Sequence, residues 1–320
     1  MMNMETLVNV ESVCRDYGGF RAVDDISFSV HRGEVLGFLG PNGAGKSTTM
    51  RIICGVLAAT HGSVSIAGHD IVDEPLPAKR HLGFLPEQPP LYRDSSVDDY
   101  LYYCAGLRRT PGAKLKNATE NAKQRCGLES VGHRLIGNLS KGFQQRVGIA
   151  QAIIHSPAVI VLDEPTAGLD PNQIIEIRQL VRELSEDHSV ILSTHILPEV
   201  QTTCDRVLII NNGRLVLDEA LSTLHQNDKT QCLSLALHRP PLLEELEQIE
   251  GVSEVTPLDR YRFRIVYQSS IDIPAVLAEI AVSRDWGLFE MIPQGDSLEQ
   301  TFVQLTRGDV MIHPEAASPV

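Results

Sequence analysis

Up to about residue 218 the hydrophobic positions fall into short apolar runs separated by longer amphipathic stretches. ISFSV (26–30) and EVLGFLG (34–40) predict strands, and KSTTMRIICGVL (46–57) predicts a helix. VIVLD (159–163) and VILS (190–193) are unbroken apolar runs, the mark of strands buried on both faces. That rhythm is α/β. Between about 96 and 155 the period lengthens: VDDYLYYCAGL and LKNATENAKQRCGL space their apolar residues for helices, and Gly127 marks a stop. A helical subdomain is therefore expected inside the α/β unit.

After INNGRLVLDEALSTL the order changes. A strand at 230–237, a helix at 241–249, strands at 252–256 and 261–267, a helix at 274–283 and a strand at 287–292 spell βαββαβ, followed by a helix at 297–306. This order resembles a small ferredoxin-like α+β domain. No glycine-rich loop or carboxylate cluster marks it as a reaction site, so a regulatory or packing role is expected. The expected organisation is 1–220, 221–308 and a loose polar tail, 309–320.

Composition adds bounds to this picture. The 320 residues suit one full α/β unit with a smaller appendage. With 28 Lys and Arg against 41 Asp and Glu, the formal charge of −13 argues against a phosphate-backbone footprint, and no nucleic-acid partner is expected. Cys14, Cys54, Cys104, Cys126, Cys204 and Cys232 form no C-x-x-C pair, which fits reduced, buried thiols in a reducing cytoplasm. The N-terminus MMNMETLVNVESV lacks a basic region followed by an apolar one, and no run approaches the roughly 18 apolar residues of a membrane span. The chain is expected neither to span a membrane nor to carry an export signal.

One segment carries chemistry by itself. FLGPNGAGKSTTM holds Gly40-x-x-x-x-Gly45-Lys46-Ser47 directly after a predicted strand and at the start of a predicted helix. Pro41, Asn42, Gly43, Ala44 and Thr48 complete the loop and the first helical turn. Its backbone N–H groups can face phosphate oxygens at the positive end of the helix, Lys46 reaches the β- and γ-phosphates, and Ser47 offers a hydroxyl to Mg²⁺. A nucleotide site needs a second half, an acidic group at the end of another buried strand. VIVLDEP supplies Asp163 for the metal shell and Glu164 to orient and polarise an attacking water.

Together these phrases resemble the ATP-binding subunit of an ABC transporter over about the first 220 residues. GPNGAGKST is similar to the Walker A loop, Gln88 in FLPEQPPLY to the Q-loop, and LSKGFQQR to the signature. VIVLDEP is similar to Walker B, AGLD (167–170) to the D-loop and His195 in LSTHIL to the switch histidine. The resemblance implies a P-loop NTPase cassette with ATP and Mg²⁺ as ligands. It gives Tyr17 the role of stacking on adenine, Gln88 a magnesium contact and a lever to the membrane subunit, and Asp170 a place in the dimer loop, where it also suits the cap of the following helix. It further implies that Ser140, Lys141, Gly142 and Phe143 meet the γ-phosphate held by a second copy of the chain. Lys141 and Phe143 depart from the commonest signature, LSGGQ. Lys141 is either a solvated lysine or a phosphate contact, and Phe143 is expected to pack inward in line with Val147, Ala150 and Ile154.

The function implied is an ATPase motor that pairs with its own copy and drives a separate permease from the inner face of the cell membrane. LPEQPPLY and the ending SLEQTFVQLT look like the ABC-2 exporter branch, including drug-export and gliding-motility members. Two other readings stand beside it. One is a soluble ABC ATPase acting on ribosomes or DNA, against which stand the single cassette and the 95 residues from Gly45 to Ser140 without sustained heptads. The other is a binding module closed by ATP without turnover, against which stand Glu164 and His195.

Overall fold

The structure, a computed structural model, describes residues 5–226, 230–268 and 272–294, together with Phe302 and Leu305. Two compact units divide the chain, Met1–Leu221 and Ser222–Val320.

The first unit opens with β1 (Thr6–Tyr17), β2 (Phe20–His31), β3 (Val35–Leu39) and α1 (Lys46–Ile53). Next come β4 (His61–Ile66), β5 (His69–Asp70), α2 (Pro75–Arg80) and β6 (Leu82–Leu85). Three helices follow, α3 (Val97–Leu107), α4 (Gly112–Cys126) and α5 (Lys141–Ile153). The unit then runs through β7 (Val159–Asp163), α6 (Pro171–Ser185), β8 (Ser189–Thr194), α7 (Leu197–Thr203), β9 (Arg206–Asn211) and β10 (Arg214–Ala220), after which α8 (Leu221–Gln226) begins.

Six strands form the central sheet in the order β10-β9-β3-β8-β7-β6, parallel throughout except for β10, which pairs antiparallel with β9. Every residue of β3, β7 and β8 is buried, as their continuous apolar runs require. Their C-terminal ends therefore lie side by side, and each leads directly into a loop that carries a candidate site residue. A separate antiparallel sheet, β2-β1-β4-β5, was not anticipated from the sequence. Its longest pair, β1 with β2, carries register shifts between Val10 and Val13 and between Val13 and Arg15, so the alternation of buried and exposed residues slips along the chain. The helix expected at 46–57 stops at Ile53: Cys54 caps it, and the amides of Val56 and Leu57 turn back to the Arg51 carbonyl. In the helical stretch Ser96 caps α3 by accepting the Asp99 amide, and Gly127, at φ 64°, ends α4.

The second unit contains β11 (Thr230–Leu237), α9 (Leu243–Glu247), β12 (Val252–Pro257), β13 (Arg262–Gln268), α10 (Ile273–Ser283) and β14 (Leu288–Gln294). Its antiparallel sheet has the order β12-β13-β11-β14, the ferredoxin-like arrangement. Alternate residues of β11, Leu233, Leu235 and Leu237, pack with Phe263, Ile265, Leu277 and Trp286 in one core. Of the helix expected at 297–306, Phe302 and Leu305 are helical and the rest lies outside the described residues, as does the tail 309–320. Among the described residues no helix is long and apolar enough to cross a membrane. The six cysteines, all among the described residues, form no disulfide, and all but Cys104 are buried.

Candidate active site

The loop between β3 and α1 is shaped by two glycines that no larger residue could replace. A Cβ on Gly40 would come within 2.5 Å of the Ile210 carbonyl oxygen. Gly45 takes φ 107°, and a Cβ there would meet the Ala22 carbonyl oxygen at 2.6 Å. Between them Ala44 is buried and donates its amide to the Pro41 carbonyl at 3.2 Å, closing the loop on itself. Lys46, only 5% exposed, turns its ammonium back into this loop, donating to the carbonyls of Gly40 at 2.8 Å and Pro41 at 3.2 Å.

The ends of β7 and β8 bring the remaining chemistry to the same place. Asp163 is the last residue of β7, and its Oδ1 accepts a hydrogen bond from Ser47 Oγ at 3.3 Å. Glu164 follows with its backbone in the left-handed region, φ 50°, its amide tied to the Ser193 carbonyl on β8. Oε1 of Glu164 stands 3.5 Å from Lys46 Nζ, and Oε2 stands 2.8 Å from Nδ1 of His195, which follows β8. Lys46 and Glu164 are both buried, so their attraction is screened far less than that of a surface pair. At the C-terminal end of α1, outside the cleft wall, burial and next the Asp163 charge push the Cys54 thiol well above its ordinary pKa.

These groups wall a cleft of about 550 Å³. Of the residues singled out from the sequence, Tyr17, Asn42, Gly43, Gly45, Lys46, Ser47, Thr48, Glu164 and His195 line it. Gly40, Pro41 and Ala44 shape the loop from behind, and Asp163 touches the site through Ser47. Tyr17 is the last residue of β1 and half exposed, with the Arg15 guanidinium 4.6 Å from the centre of its ring. Phe20, across the Gly18–Gly19 turn, lines the same end of the cleft and was not singled out from the sequence, where the two glycines read only as a turn.

Gln88 and its neighbour Glu87 sit together in an exposed bend after β6; Glu87 lines the cleft and Gln88 stands beside it. Phe143, in the first turn of α5, is half-buried instead of joining the core with Val147, Ala150 and Ile154, which corrects the expectation that it packs inward.

The signature residues stand apart from the cleft of their own chain. Ser140 caps α5, its Oγ accepting the Phe143 amide at 3.4 Å. Gly142 packs against the side chain of Gln173 in the first turn of α6, and the Lys141 ammonium lies against Gly168 of the 167–170 loop. Asp170 caps α6 through Oδ1, which accepts the amides of Asn172 and Gln173 at 3.1 and 3.0 Å.

The sequence model of the family described as "ABC transporter" matches residues 23–167. The chain is 35% identical over 307 residues to the bacitracin transport ATP-binding protein BcrA of Bacillus licheniformis, covering 95% of this chain and 99% of that protein. It is 32% identical over 278 residues to the uncharacterized ABC transporter ATP-binding protein YxlF of Bacillus subtilis (strain 168), covering 87% and 89% respectively. Among solved structures, an ATP-binding subunit of an ABC transporter superposes with a TM-score of 0.63 at 31% identity, covering 69% of this chain and 92% of that one. A phosphate loop, an acidic strand end and a histidine meeting in one cleft, on a cassette fold with these relatives, identify the chain as a member of the ABC transporter ATP-binding protein family, the ATP-hydrolysing cassettes that work with a membrane permease.

Proposed function

We propose that this chain is the ATP-hydrolysing motor of an ABC exporter. The observation that carries the reading is the convergence of Lys46, Glu164 and His195 at the mouth of the phosphate loop, at 3.5 and 2.8 Å. ATP enters the cleft with its adenine beside Tyr17 and Phe20 and its phosphates along the amides of residues 42–48. Lys46 then exchanges its contact with Glu164 for the β- and γ-phosphates. Glu164, freed of that ammonium but still bonded to His195, orients the water that attacks the γ-phosphorus in line.

Two hard oxygen donors, the Ser47 hydroxyl and the Asp163 carboxylate, stand 3.3 Å apart beside the phosphate loop and fit Mg²⁺. When bound, that ion neutralises charge developing between the β- and γ-phosphates. Gln88, in the bend beside Glu87, is the magnesium contact and the lever to the permease that the resemblance implies. Ser140, Lys141, Gly142 and Phe143 stand outside the cleft of their own chain, which suits a signature that caps the ATP of a second copy of the chain. Hydrolysis removes the phosphate shared between the copies, and the pair reopens.

The partner is a separate permease of the ABC-2 type, and the chain works at its cytoplasmic side, on the inner face of the membrane. What supports this branch is the FLPEQPPLY phrase, the ferredoxin-like second unit and full-length similarity to a bacitracin transport protein. Purification of a tagged copy from native membranes in mild detergent tests it: a co-purifying polytopic protein of about six spans is expected, whereas ribosomal proteins or nucleic acid in its place would reject the exporter reading.

A further inference from the structure

Glu199, in the first turn of α7, is completely buried. Long charged side chains are almost never found there without partners. This one divides its two oxygens between the turn that follows β7 and the end of β8. Oε1 accepts a hydrogen bond from Thr166 Oγ1 at 2.5 Å, and Oε2 accepts one from Thr194 Oγ1 at 2.7 Å. Both threonines are buried. Thr194 Oγ1 in turn accepts the Ile196 amide at 3.0 Å, and the Arg178 guanidinium on α6 stands 3.9 Å from Oε1.

The positions of those threonines give the arrangement its meaning. Thr166 lies two residues beyond Glu164, and Thr194 immediately precedes His195. The left-handed backbone of Glu164 is a conformation that non-glycine residues keep only where their surroundings over-determine it. The turn that follows Glu164 supplies part of that support: the Ala167 amide returns to the Glu164 carbonyl, and the Leu169 amide to the Thr166 carbonyl. Glu199 fastens this turn to the end of β8.

We infer that Glu199 is a positioning residue for ATP hydrolysis, which fixes the separation of Glu164 and His195 by binding Thr166 and Thr194 at once. It acts through these two residues and lies outside the cleft wall. The inference rests on the proposed reading of Glu164 and His195 as the hydrolytic pair. A carboxylate that only held the fold together would change stability alone; one that sets this separation changes turnover, because small displacements of a reacting group cost rate steeply.

The test compares Glu199→Leu, which fills the space but bonds neither threonine, with Glu199→Gln, Thr166→Val and Thr194→Val, following steady-state ATP hydrolysis and, separately, the Kd for ATP. Glu199→Leu is expected to lower kcat at least about tenfold while the Kd stays within about twofold. Glu199→Gln should restore kcat to within about threefold of wild type, because its amide oxygen accepts from one threonine and its N–H donates to the other. If Glu199→Leu does not fold, the Thr166→Val/Thr194→Val pair carries the test with the same expected loss. Unchanged turnover in these variants would overturn the inference, and so would a kcat loss matched by an equal loss of ATP binding or shared equally by the Leu and Gln variants. A wild-type protein that binds ATP without turning it over would instead overturn the reading of the hydrolytic pair, so the two failures are distinct.

Discussion

Oε2 of Glu164 and Nδ1 of His195 stand 2.8 Å apart across the ends of two adjacent parallel strands. The carboxylate is buried, while the imidazole is nearly half exposed and reaches it from the rim of the cleft. A water held by Glu164 therefore sits where His195 limits how the carboxylate can turn. Glu164→Gln should bind ATP normally and hydrolyse it at least about a hundredfold more slowly. Near-normal turnover in a phosphate-release assay would remove Glu164 from this role.

Asp163 and Ser47 share one hydrogen bond beside the phosphate loop. Asp163→Asn keeps an acceptor for the Ser47 hydroxyl but removes the negative charge that suits a divalent cation. The Mg²⁺ concentration needed for half-maximal hydrolysis is expected to rise about tenfold or more. A titration that superposes on wild type would separate Asp163 from the metal.

The Lys141 ammonium lies against Gly168 of its own chain, so its charge reaches the 167–170 loop directly. In the proposed pair this loop and the signature both approach the second copy, and Lys141 ties one to the other. Lys141→Gly, made in a Glu164→Gln background, is expected to weaken ATP-driven self-association in sedimentation experiments by about fivefold, the scale of a single coupling contact. Unchanged self-association would make Lys141 a solvated lysine.

Acid should weaken the first unit through half-buried His155 and buried His188. Burial, and then the nearby Arg108 guanidinium, push His155 down from its ordinary 6.5 to about 4; burial also lowers His188. Between these values the unfolded chain binds protons that the folded chain refuses, so stability is full above about pH 6.5 and falls as the pH drops towards 4. For His155 alone the span corresponds to no more than about 4 kcal/mol, at roughly 1.4 kcal/mol for each pKa unit. Urea unfolding at pH 7.5, 5.5 and 4.5 should show the decline, and His155→Gln should flatten it. Equal slopes for the two proteins would show that His155 does not contribute.

The parallel strands were legible because burial on both faces leaves an uninterrupted apolar run, as in β7 and β8. The phosphate loop was legible because its glycines are demanded by sterics at Gly40 and Gly45. The antiparallel sheet was hidden by the shifts of register in β1, which break the two-residue period. Glu87 was not legible because, in a bend, only the course of the backbone decides which side chains line the cleft. Glu199 was invisible for a related reason: a single acid in ILPEV reads as a solvated helix position until Thr166 and Thr194 are seen to close on it.

The hydrogen bonds from Lys46 to the Gly40 and Pro41 carbonyls bear on how fast nucleotide enters. A phosphate loop braced by its own lysine has no backbone to order when nucleotide arrives. Capture then exchanges one set of partners for another, without the entropic delay of folding a loop around the ligand. The rate of nucleotide entry is set by encounter and by access to the cleft, and the slow events of the cycle are left to later steps.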